Sequence, residues 1–100
     1  MGSSMVRYKL RPDRVAENET LVKAVYEQLN RERPEGLQYA TFQLPDGVSF
    51  MHLVFESDQP GRILGGAAAF KRFATEVESR CEEPPVATEL TVVGSYHMRP

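Results

Sequence analysis

Residues 37–44 and 48–56 flank Pro45-Asp46-Gly47, and both segments are apolar on both of their sides. Proline presets φ at the first turn position and glycine accepts the left-handed one, so the tripeptide reads as a hairpin loop. A three-residue loop places Leu44 opposite Val48, Phe42 opposite Phe50 and Ala40 opposite His52. On that register one face carries Ala40, Phe42, Leu44, Val48, Phe50 and Val54, and the other carries Leu37, Tyr39, Met51, Leu53 and Phe55. An antiparallel sheet with one wet face alternates apolar with polar residues. This hairpin does not, so both of its faces need cover.

The flanking sequence supplies cover for one of them. Residues 5–11 alternate Val6, Tyr8 and Leu10 with Arg7, Lys9 and Arg11, the pattern of a strand with one polar face. Pro12 closes it, and Asp13 stands where a helix N-cap belongs. Over residues 14–33 an apolar stripe of Val15, Val22, Val25, Tyr26 and Leu29 predicts a helix, with Lys23, Glu27 and Arg31 at four-residue steps on the solvent side. Pro34 and Gly36 end it. Residues 58–66, with Pro60, Gly61, Gly65 and Gly66, read as a loop. Residues 67–82 carry Phe70, Phe73, Ala74, Val77 and Cys81 on a second helical stripe that Pro84-Pro85 terminates. The Thr- and Val-rich residues 86–96 make a last strand. The order is β-α-β-β-α-β, the ferredoxin-like split arrangement: an α+β fold with a four-stranded antiparallel sheet and two helices on one face.

Two helices leave the second apolar sheet face open, and such a patch marks an interaction site. Pairing two identical faces about a two-fold axis covers both, which predicts a homodimer closing into a dimeric α+β barrel. The competing expectation is a monomer with a partly exposed aromatic face. A chain of 100 residues is one thin-cored domain, and its single cysteine, Cys81, allows no internal disulfide, so self-association is the remaining source of buried surface. The domain is expected to span 5–97, with 1–4 a vector-derived scar or a disordered N-terminus. A net charge of −2 and a pI near 5.7 argue against a nucleic-acid partner. No apolar run reaches membrane-spanning length, no secretory leader is evident, and the lone thiol suits a reducing compartment, so the expected location is cytoplasmic. His52 and His97 lie far apart and lack cysteine partners, so no metal site is expected.

Three features together resemble a known family: the start Val6-Arg7-Tyr8-Lys9-Leu10-Arg11-Pro12-Asp13 leading directly into a helix, the strand ending Val54-Phe55-Glu56, and the loop, Phe-containing helix and closing strand that follow. The chain resembles the antibiotic biosynthesis monooxygenase-like branch of the dimeric α+β barrel superfamily over nearly its whole length. The resemblance implies a dimer enclosing a cavity in each subunit. It also implies an oxidoreductase activity, since some members oxidise quinols, anthrones or similar aromatic polyketides with O2 and no bound cofactor. Other members degrade haem with an Asn, Trp and His set; this chain has no tryptophan, and Ser57-Asp58 follow Glu56 where many members place one. Residues 58–80 also lack the histidine that members often carry there.

His52 is the candidate catalytic base. It lies mid-strand among apolar neighbours, and a small Ala40 opposite would leave room for a ligand beside the imidazole. Cofactor-free oxygenation needs the substrate deprotonated, and histidine can accept such a proton. The competing reading is a structural histidine hydrogen-bonded in the core or at the dimer seam. Tyr8, Tyr39 and Tyr96 are candidates to line a cavity and hydrogen-bond a quinone oxygen, with Phe50 beside them; the alternative is packing with a polar tip. Arg7 and Lys9 point away from the Val6-Tyr8-Leu10 side, where they bind an anionic ligand, pair with Glu89 on the last strand, or reach solvent past the sheet edge. Glu56 and Asp58 are candidates for acid–base work at a cavity mouth, or simply solvated. Cys81 reads as a small core residue. The expected partners are a second copy of the chain and a small aromatic ligand. The alternative function is a non-catalytic binding or purely structural homodimer.

Overall fold

The alternation at the start of the chain forms strand β1, Gly2–Leu10, in the computed structural model, which describes residues 2–57 and 63–97. β1 starts three residues earlier than its apolar pattern indicates. Ser3 and Ser4 pair with Phe55 and Val54, and the Ser3 hydroxyl donates to the Leu90 carbonyl at 2.8 Å.

Helix α1, Val15–Glu32, follows a 3₁₀ turn over Pro12–Arg14. Asp13 therefore lies inside that turn and is not the N-cap. Arg14 takes the cap position without a side-chain cap bond, and Asp13 adds only its negative charge near the helix start. At the other end Arg33 adopts a left-handed conformation, its N–H bonds the Leu29 carbonyl at 2.7 Å, and Pro34 prevents continuation.

Strands β2, Leu37–Gln43, and β3, Ser49–Glu56, form the expected hairpin one residue out of the expected register. Gln43 faces Phe50, Phe42 faces Met51 and Thr41, not Ala40, faces His52. The turn is one residue longer because Asp46 organises it. Its Oδ1 accepts the amides of Val48 (2.9 Å) and Ser49 (2.8 Å), its Oδ2 accepts the Ser49 hydroxyl (2.6 Å), and Leu44 N–H bonds the Ser49 carbonyl. Gly47 takes the left-handed position, φ 77°. A one-residue slip turns a whole strand over. Leu37, Tyr39 and Thr41 thus join Phe50, His52, Val54 and Glu56 on one face, and Ala40 and Phe42 join Met51, Leu53 and Phe55 on the other.

The single helix expected over 67–82 is broken. α2 spans Ala68–Ala74, Glu76 is left-handed at φ 65°, and α3 spans only Val77–Arg80. Cys81 is not on a helical stripe; it opens strand β4, Cys81–Leu90, buried opposite Leu10. Pro84 and Pro85 lie within this strand instead of ending a helix. The sheet order β2-β3-β1-β4 makes β4 an edge strand, where proline is tolerated, and the β1–β4 register shifts beside them. The last strand ends at Leu90, and residues 91–97 run as irregular chain. Asp58, Pro60 and Gly61 lie outside the described residues.

The helices cover the face that bears Tyr8, Leu10, Phe50 and Val54, and with Val25, Leu64 and Phe73 these form the core. No helix among the described residues lies on the other face. It carries Met5, Ala40, Phe42, Met51, Leu53 and Phe55, with Phe42 47 % exposed. Lys9, on the same side, pairs with Glu82 and Glu83 at 4.0 and 3.8 Å rather than with Glu89, which stands opposite Ser4.

Candidate functional site

β3 lies between β2 and β1, so a residue at its centre can be reached from both. His52 is that residue. Only 3 % of it is exposed, Val6 is its partner on β1 and Thr41 its partner on β2. Both ring nitrogens are engaged. Tyr8, two residues along β1, bonds Nε2 at 2.8 Å; Tyr39, two residues along β2, bonds Nδ1 with a short contact, and the Thr41 hydroxyl lies 3.2 Å from the same nitrogen. The network extends in both directions. Asn18 donates its Nδ2 to the Tyr8 oxygen at 3.0 Å, Arg80 donates its Nε to Asn18 Oδ1 at 3.3 Å, and Tyr26 and Thr41 share a hydroxyl–hydroxyl bond of 2.8 Å. No buried side-chain nitrogen or oxygen among the described residues lacks a partner.

Aromatic rings wall this network. Tyr8 stacks on Phe50 at 5.8 Å and Tyr26 on Tyr39 at 5.1 Å, while Phe73 packs 5.3 Å from the imidazole and Phe70 meets Tyr39 edge-on. Burial removes water from the ring nitrogens and lowers the His52 pKa to about 4, so the imidazole is neutral at physiological pH. Burial also raises Tyr8 to about 12, against a smaller opposing effect of the Asn18 hydrogen bond, and drives Tyr39 up as well. Both phenols therefore keep their protons. An apolar cavity of about 40 Å³ touches the imidazole, lined by Val6, Tyr39, His52, Val54, Leu64, Phe70 and Phe73. Tyr39 also lines a surface cavity of about 260 Å³ at the end of α1, with Tyr26, Asn30 and Arg33.

The structure brings together His52, Tyr8, Tyr39 and Phe50. It does not bring in Arg7 or Tyr96. Arg7 is exposed on the opposite face, facing Met51 and Val86; Tyr96 is 84 % exposed in the irregular segment, edge-on to His97 at 4.2 Å. The hairpin slip removes the small residue expected opposite His52 and puts a hydroxyl there instead. Glu56 is buried, and its Oε1 accepts the amides of Ile63 (2.8 Å) and Leu64 (3.0 Å), which seats Leu64 against the cavity.

Asn18, Thr41, Tyr26 and Arg80 are further members of the site. Asn18 left a signal in the sequence: it occupies the stripe position between Val15 and Val22, and a polar side chain there needs a buried partner. Arg80 left none, because its place depends on the break between α2 and α3. Among the described residues no cluster of His, Cys, Asp or Glu could hold a metal ion, and no helix is long and apolar enough to cross a membrane.

No protein-family model and no curated protein matches the chain by sequence. Solved structures do match its fold. One is an antibiotic biosynthesis monooxygenase with a TM-score of 0.78 at 16 % identity, covering 94 % of this chain and all of that one. A Mycobacterium tuberculosis protein superposes with a TM-score of 0.73 at 17 % identity over 94 % of this chain and 96 % of its own. A variant of SnoaB, a cofactor-independent oxygenase from Streptomyces nogalater, gives 0.70 at 14 % identity over 97 % of each chain. The helix-covered sheet with His52 at its centre is thus built on the ferredoxin-like α+β fold of the antibiotic biosynthesis monooxygenase structures.

Proposed function

We propose that this chain is a cofactor-independent monooxygenase-like protein that acts on a small aromatic substrate of the quinol or anthrone type and works as a homodimer. One observation carries the reading: a neutral imidazole held between two phenol hydroxyls beside an apolar, ring-lined cavity. Oxidation of an aryl-flanked methylene to a carbonyl consumes one O2: one oxygen atom becomes the carbonyl oxygen and the other leaves as water with both methylene hydrogens. The substrate supplies all four electrons. The reactive species is the substrate anion, which hands an electron to O2. His52, with its conjugate acid at about 4, is mismatched as a base for a phenolic proton. Its role here is to orient: it holds the Tyr39 hydroxyl, and a fixed donor shielded from water favours an oxyanion that reaches it over the neutral phenol. The proton leaves to solvent as the anion binds. The helix-free face with half-buried Met5, Met51, Leu53 and Phe55 around the exposed Phe42 supports the dimer.

A second reading has its own observation. The cavity beside His52, about 40 Å³, is far below the several hundred Å³ of ordinary small-molecule sites, as in a domain whose interior is filled by side chains. O2 uptake and thermal shift with a panel of quinols and anthrones separate the two. The oxygenase reading expects uptake above the uncatalysed rate, reduced on the order of a hundredfold in Tyr39→Phe. Ligand-induced stabilisation without uptake marks a binding protein, and neither response marks a structural dimer.

A further inference from the structure

The hydrogen bonds around His52 have a fixed beginning. Arg80 is only 2 % exposed, and its guanidinium carries donors alone. Nη2 bonds the Phe73 carbonyl at 2.6 Å, Nη1 the Thr75 carbonyl at 3.4 Å, and Nε the Asn18 Oδ1 at 3.3 Å. The cation also lies over the Phe73 ring, 5.4 Å from its centroid. The two carbonyls belong to the C-terminal end of α2, where a positive charge is favoured. The left-handed Glu76 turns the chain back so that Arg80 reaches them.

Each later bond in the network inherits its direction from this one. Because arginine cannot accept, Asn18 must turn Oδ1 to Arg80 and present Nδ2–H to the Tyr8 oxygen. Tyr8 then has one proton to give and one acceptor in reach, Nε2 of His52. Were Nε2 protonated, the Tyr8 O–H would be left buried without an acceptor. A neutral imidazole has a single N–H, so that proton lies on Nδ1, directed at the oxygens of Tyr39 and Thr41.

We propose that Arg80 is a positioning residue that, three hydrogen bonds away through Asn18 and Tyr8, fixes His52 as its Nδ1–H tautomer and aims the whole chain of donors at Tyr39. Tyr39, having received the Nδ1 proton as an acceptor, is left with its own O–H to donate. A ligand oxygen that reaches this hydroxyl is therefore received as an acceptor, best of all an anionic one such as a phenolate. That last consequence rests on the oxygenase reading; the tautomer does not.

Long-range ¹H–¹⁵N NMR of the labelled full chain near neutral pH reads the tautomer directly. With only two histidines, His52→Gln assigns the signals. The expected result is a protonated Nδ1 and a bare Nε2, and a proton on Nε2 overturns the proposal. Asn18→Asp provides the second arm. A carboxylate still pairs with Arg80 but only accepts, so Tyr8 turns its O–H toward it and accepts from Nε2; the tautomer is expected to invert. A folded Asn18→Asp protein that keeps Nδ1–H overturns the role of the chain. If that variant does not fold, Tyr8→Phe replaces it: the expected result is a mixture of tautomers, and an unchanged single Nδ1–H state overturns the proposal. No arm requires turnover, so a failed oxygen-uptake assay sinks the oxygenase reading and leaves the tautomer assignment standing.

Discussion

Tyr39 and His52 are diagonal neighbours across the β2–β3 ladder: Tyr39 stands opposite Val54, Thr41 stands opposite His52, and the Tyr39 hydroxyl reaches back along the strand to Nδ1. Long side chains commonly reach this diagonal position. Tyr39→Phe keeps the ring on Tyr26 and Phe70 and removes only the hydroxyl. The imidazole then has Thr41, at 3.2 Å, as its remaining partner on that side. The expected loss is about 1–2 kcal/mol in urea unfolding, with the fold retained. A loss near zero would mean that the hydroxyl–imidazole contact is not formed in solution.

His52 makes stability depend on pH. Its pKa falls from an ordinary 6.5 to about 4 on folding, so the unfolded chain binds the proton more readily. The stability it contributes is complete above about pH 6.5 and is lost as pH falls toward about 4, roughly 3 kcal/mol in all. Denaturant melts across that window should show the decline in the parent protein. His52→Gln, which keeps a hydrogen-bonding amide but does not titrate, should show a flatter profile there. Equal slopes in both proteins would remove His52 as the source.

Asp46 holds the hairpin in its slipped register through two backbone amides and one hydroxyl of the turn. These bonds, the Ser49 hydroxyl first among them, keep its carboxyl below the ordinary carboxylate range. The contribution is therefore present above the ordinary Asp pKa and disappears as pH drops through the lowered folded value. Asp46→Ala should lower Tm and speed amide exchange at Ser49. An unchanged exchange rate at Ser49 would show that the longer turn is held by something other than this carboxylate.

Leu53 and Phe42 lie on the sheet face that no helix covers. Replacing Leu53 with lysine puts a charge at the centre of that face. Light scattering on a size-exclusion column should give a dimer for the parent chain and a monomer for Leu53→Lys, with circular dichroism unchanged. A parent monomer at all concentrations would leave the apolar face without its second copy.

Much of the fold is legible in local pattern because helices and strands have their own periods. Val6, Tyr8 and Leu10 point to the helices as their alternation indicates, and the α1 stripe from Val15 to Leu29 packs on the core. Asn18 carries a local signal too, as a polar residue on a buried stripe. Register carries none. Ala40 and Thr41 both satisfy a two-residue period, and the choice between them falls to Asp46, whose Oδ1 accepts the amides of both Val48 and Ser49 and so closes the longer turn. That choice also decides whether Tyr39 shares a face with His52 at all.

The second half of the chain shows the same division. The pattern of Phe70, Phe73 and Val77 is helical and forms helices, but nothing local announces that Glu76 turns left-handed. That break lets Arg80 fold back onto the carbonyls of Phe73 and Thr75 and meet Asn18, 62 positions away in sequence. Pro84-Pro85 reads as a helix stop but sits in an edge strand, because whether a proline N–H is missed depends on which neighbour lies beside it. Residue periodicity fixes the type of most segments, though not of residues 81–85 or 91–96. Hydrogen-bond geometry between segments decides how they register, and the site around His52 exists only at that second level.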